Sequence, residues 1–189
     1  MQRPQLTANE LRRLAEDFTA HDARAVIDAA TALSAGEADL RLFDAPLLGF
    51  AAAADPLFAA LAAPGVVGPQ LLQPHDWLPG AQTVISVCMP FAAAVRESNR
   101  RDRREPSNGW LHARYEGQAF IGLLLRYLAA ILTDAGYRVT VPLFDPRFQC
   151  WDHVADCGAY GFNSNWSERH AAFIAGLGTF GLSAGLISE

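Results

Sequence analysis

From about Leu111 to Ala135 the sequence sustains a helical period longer than anywhere else in the chain. Phe120, Leu123, Leu124, Tyr127, Leu128, Ile131 and Leu132 fall on one broad apolar stripe, and Gly136 stands where a helix closes through a left-handed residue. A stripe that wide must be covered by other elements. Thr83–Met89 is β-branched, almost continuously apolar and stopped by Pro90, the composition of a strand buried on both faces. Tyr137–Val141 alternates as a second strand. Helices between buried strands predict an α/β (α+β layered) domain, with a small central sheet flanked by helices and the long helix packed across it.

Shorter signals fill in the rest. Thr7-Ala8-Asn9-Glu10 reads as a capping box, with Leu11, Leu14 and Phe18 on one face of a first helix. Asp22–Leu33 reads as a second helix stopping near Gly36, and Phe43–Ala53 as an apolar strand running into a loop. Asp55-Pro56 opens a short helix that Pro64-Gly65 closes. Pro69, Pro74 and Pro79-Gly80 break the following stretch into turns, and the Arg-rich segment Asn99–Gly109 reads as an exposed loop. Pro142–Asn165 is irregular and aromatic; Ser167 caps a helix to about Ala175, ended by glycines, and Leu186-Ile187 starts a third strand. Residues 1–40 form an N-terminal helical segment and 41–189 the main domain in this reading.

Composition narrows the function classes. The 189 residues suit one domain, and a net charge of −5 argues against duplex nucleic acid as the primary partner. All 15 basic residues are Arg. Cys88, Cys150 and Cys157 are too few for a disulfide framework and contain no C-x-x-C pair, so no zinc ribbon or iron–sulfur cluster is expected from this chain alone. Met1–Glu10 lacks an apolar signal region, and Phe120–Leu132 carries Arg126 and falls short of the roughly 20 residues of a membrane span. A soluble, cytoplasmic protein with no membrane partner is the expectation.

Several motifs invite functional readings and have plainer ones. Gly176-Leu177-Gly178-Thr179-Phe180-Gly181 spells G-x-G-x-x-G, but a helix precedes it where a dinucleotide fold needs a strand. Gly181-Leu182-Ser183-Ala184-Gly185 spells the hydrolase elbow, yet no His follows it. Cys150, Asp152, His153, Asp156 and Cys157 offer three zinc ligands and no evident fourth, which favours a packed polar loop over a metal site. Arg100, Arg101, Arg103 and Arg104, softened by Asp102 and Glu105, read as a solvated loop, with phosphate binding as the alternative.

Asn163-Ser164-Asn165-Trp166-Ser167-Glu168-Arg169-His170 concentrates hydrogen-bonding side chains at a helix start, directly before the glycines. It is the best candidate for a cofactor or substrate rim, through Asn163, Asn165, Ser167, Glu168, Arg169, His170, Gly176, Gly178 and Gly181. The plainer reading makes Ser167 a cap and Glu168 a first-turn acid.

At these residues the chain resembles the N-terminal region of epoxyqueuosine-reductase-like iron–sulfur proteins, relatives of the corrinoid reductive dehalogenases. The matching pieces are Phe43–Phe50, Trp77–Ser86, Ser98-Asn99-Arg100, Glu116-Gly117-Gln118 and Ser164–His170 leading into Ala175–Ser183, in order from Phe43 onward. The resemblance implies a nitroreductase-like module that cradles cobalamin, and a separate ferredoxin-like half with two [4Fe–4S] clusters. The chain ends where that half would begin, so a fragment, a truncated product or a stand-alone corrinoid domain is expected, inactive alone as an oxidoreductase. A ferredoxin-type electron donor and tRNA are partners by resemblance only.

One departure stands out. The family places an Asp shortly before the pair that Glu168-Arg169 resembles; here Phe162-Asn163-Ser164-Asn165 has no carboxylate, and Asn cannot give up a proton. Asp152, Asp156 and Tyr160 are the replacement candidates for the catalytic acid, and the substrate need not be epoxyqueuosine. Two readings of another class remain: a corrinoid or tetrapyrrole binding module without turnover, and a flavin protein on the same fold.

Overall fold

A computed structural model describes residues 6–102, 104–152, 162–183 and 185–188. The chain forms two compact units, Met1–Leu47 with Cys88–Tyr137, and Leu48–Val87 with Arg138–Glu189. The fold class is α/β, with helices and small sheets; among the described residues the strands make three two-stranded pairs.

The first unit starts at α1 (Ala8–His21). The Thr7 hydroxyl accepts from the Glu10 N–H and the Glu10 carboxylate accepts from the Thr7 N–H, closing the expected capping box. The expected helix over Asp22–Leu33 does not form. Asp22 caps a 3₁₀ turn, Ala23–Ala25, and Val26 then bridges Arg41 in antiparallel fashion. Ile27 N–H donates to Leu40 O and Leu42 N–H to Ala25 O, while Ala25, Ile27 and Leu42 are fully buried. The apolar residues here alternate with a period of two, and the backbone finds its partners across the chain instead of along a helix.

Two helices complete this unit, α2 (Ala93–Arg100) and α3 (Asn108–Asp134). The expected loop over Asn99–Gly109 is therefore shorter, because both its ends are helical. Ser107 sets the start of α3: its hydroxyl accepts from Trp110 N–H and meets Ser98 Oγ at 2.8 Å, and its N–H donates to Asn99 Oδ1. Gly109, His112, Ala113, Gly117, Phe120, Leu124 and Leu128 line the buried side of α3, which packs on α1 and α2. By length and composition α3 could cross a membrane, with a mean hydropathy of 1.2 over its best window. Its inward face packs with Ile27, Leu42, Phe43 and Val95 in this unit's core, and 22% of that window is buried. Gly117 is needed there, since a Cβ would lie 2.6 Å from Phe43 Cζ. The helix ends as expected: Gly136 is left-handed at φ 91°, with Gly136 N–H to Thr133 O and Tyr137 N–H to Leu132 O.

The second unit pairs β1 (Leu47–Ala52) with β2 (Thr83–Cys88), both close to the expected apolar runs. Between them Asp55 caps α4 (Pro56–Leu61), and α5 (Pro74–Trp77) makes a single turn. Tyr137–Val141 is not a strand: the chain runs from the helix closure at Gly136 into a 3₁₀ turn at Pro142–Phe144, and Pro142 has no N–H to continue a ladder. β3 (Cys150–Asp152) and β4 (Phe162–Ser164) pair antiparallel, with Cys150 opposite Ser164. Next come α6 (Glu168–Ile174) and an antiparallel pair, β5 (Thr179–Phe180) with β6 (Leu186–Ile187), which gives the expected third strand its partner. Ala51, Phe58, Trp77, Trp166 and Ala171 form this unit's core.

Candidate functional site

The segment between β4 and α6 is fastened from below. Asn165 is 5% exposed. Its side-chain oxygen accepts from Gln149 N–H and its side-chain nitrogen donates to Arg147 O, while its backbone bonds Gln149 O and Leu72 N–H. Asn165, one of the residues expected at the rim, is thus buried with both ends of its amide bonded to backbone. Trp166 beside it packs edge-on to Trp77 and stacks on Phe58.

Arg147 fastens the neighbouring loop. Its guanidinium grips both Asp145 oxygens at 2.7 and 2.9 Å, donates to the Asp76 and Trp77 carbonyls, and lies 5.1 Å from the centre of a Trp77 ring. Those bonds hold the Asp145 carboxyl down to about 2. Sequence reading missed this clip, although the close Asp-x-Arg spacing was there to see.

At the start of α6 the Ser167 hydroxyl does not cap the helix. It meets His170 Nδ1 at 2.7 Å, one turn on. The His170 ring lies tilted on Phe180 at 4.9 Å, and Phe180 also meets Phe173 at 5.5 Å. Burial, helped by the Arg169 charge, lowers the His170 pKa below its ordinary 6.5. Glu168 and Arg169 are exposed on the first turn, and Phe173 is 39% exposed. Charged, polar and aromatic groups thus share one short surface, and the His170–Phe180 contact joins the rim segment to the glycine turn.

The three rim glycines do different things. Gly176 is left-handed at φ 76°, with Gly176 N–H to Phe173 O and Leu177 N–H to Ala172 O closing α6. A Cβ there would meet nothing within 4 Å, so its outer side is open. At Gly178 a Cβ would fall 2.2 Å from Ile187 O, and at Gly181 2.9 Å from Ile187 Cδ1. Those two make room for the chain's own hairpin. The G-x-G-x-x-G run therefore follows a helix and enters a strand pair, and Ser183 lies between β5 and β6 instead of on a strand-to-helix elbow.

The remaining candidates divide by position. Asp152 and Asn163 sit in β3 and β4, with Asn163 opposite Trp151 and Asp152 opposite Phe162. Asp156 and Tyr160 lie outside the described residues, as do His153 and Cys157 of the cysteine-rich loop. Among the described residues no group of three or more His, Cys, Asp or Glu is placed to hold a metal ion. Arg100, Arg101 and Arg104 are exposed around the turn between α2 and α3, with Arg104 N–H donating to Asp102. Compared with protein-family models, curated proteins and solved structures, the chain matches none.

Proposed function

We propose that this chain is the corrinoid- and substrate-binding half of an epoxyqueuosine-reductase-like iron–sulfur oxidoreductase, with a nitroreductase-like domain. The observation that carries the reading is the joining of Ser164–His170 to the glycine turn through His170 and Phe180, since these are the two segments the resemblance assigns to the corrinoid. A large amide-rimmed macrocycle needs polar groups at its edge and apolar surface against its face. Glu168 and Arg169 supply the first, and Phe173 with the His170–Phe180 pair the second. Gly176 leaves room for close backbone approach. Asn165, Gly178 and Gly181 support the surface from inside.

A bound corrinoid supplies the reducing chemistry; the residues here bind it, orient it and shield one face from water. Electrons come from a ferredoxin-type partner, in the cytoplasm, and the substrate class is left open by the missing carboxylate before Glu168. Incubating the protein separately with cobalamin and with flavin mononucleotide, followed by gel filtration and absorbance spectra, tests the reading. Cobalamin alone should co-elute. Flavin co-elution would favour a flavin protein on this fold, and retention of neither would overturn the proposal.

A further inference from the structure

We propose that Ser167 and His170 form a proton-operated latch, which seats the β5–β6 hairpin on the start of α6 at neutral pH and loosens it on acidification. The latch is a property of the chain itself and does not rest on the corrinoid reading. Its geometry has two contacts. Ser167 Oγ meets one ring nitrogen of His170 at 2.7 Å, and the same ring lies tilted against Phe180, the second residue of β5. Phe180 in turn touches Phe173, on the helix turn after His170. The ring is thus the polar member of an otherwise aromatic contact between helix and hairpin.

Charging that ring works against its seat. The half-buried imidazole lies against the Phe180 ring, and Arg169, its sequence neighbour, adds a like charge. The elements around α6 offer little compensation. Among the described residues, β5, β6, β1 and α4 carry no titratable side chain; Glu168 lies on the exposed first turn of α6 itself, and Asp55, just before α4, caps that helix through Leu57 N–H. Once protonated, the ring gains by turning toward water, which uncovers Phe180 and leaves the short hairpin held by its own pairing and by the packing of β6 on α6. The sign follows from the lowered pKa. The folded state favours the neutral ring, so its stabilisation is complete above 6.5 and is lost as the pH falls through the folded value.

Proton NMR titration of the full chain, together with hydrogen exchange of the Gly181 amide, which bonds Gly185 O, tests the latch. His170 should titrate below 6.5. The Gly181 protection factor should fall about tenfold between about pH 8 and pH 5. In His170→Gln, which stays uncharged, that protection should be the same at both pH values. Titration of His170 at or above 6.5, or equal wild-type protection at both pH values, would overturn the proposal without reference to any variant.

Discussion

Asn165 and Arg169 sit four positions apart in one polar run, and their surroundings make them opposites. Asn165 is buried with both ends of its amide bonded to backbone, so Asn165→Ala strands the Gln149 N–H and the Arg147 carbonyl. A loss of about 1–3 kcal/mol of folding stability is expected in urea denaturation. Arg169→Ala changes an exposed residue and should cost less folding stability than Asn165→Ala in the same measurement. The sequence showed the density of polar groups but not their directions. An Asn pinned from beneath and an Arg presented outward share the same composition and differ only in which backbone lies nearby. The Ser167 cap went astray for the same reason: His170, at the i+3 position, competes for the hydroxyl.

Among the elements, the glycines decide how closely pieces pack. Gly117→Ala adds a Cβ 2.6 Å from the buried Phe43 ring, which is confined by Phe91 and Phe120. Better helix propensity returns up to about 1 kcal/mol, against about 1–3 kcal/mol for overpacking, so net destabilisation is expected in thermal unfolding. Gly178→Ala should push the Ile187 backbone, and with it β6, away from β5 and cost a similar amount, read as lost protection at Gly181. Long or strongly patterned elements were legible: α3 with its Gly136 closure, β2 before Pro90, and the capping box of α1. The failures were short segments whose fate is set across the chain. Residues 25–27 pair with 40–42 where a helix was expected, and Tyr137–Val141 connects a helix closure to a 3₁₀ turn where a strand was expected. Apolar content alone does not distinguish those outcomes.

At the scale of the whole molecule, the corrinoid proposed above would meet a chain with only three cysteines, fewer than the four thiolates of a cluster. With only Cys88, Cys150 and Cys157 available, anaerobically purified protein should contain no stoichiometric iron or acid-labile sulfide. The most direct test is cobalamin affinity by equilibrium titration in the wild type and in Arg169→Ala, with folding of both checked by urea denaturation. The rim predicts saturable binding that weakens about tenfold in the variant, on the order of 1.4 kcal/mol, with both proteins folded. Equal affinity in the two proteins, or no saturable binding in the wild type, would contradict it.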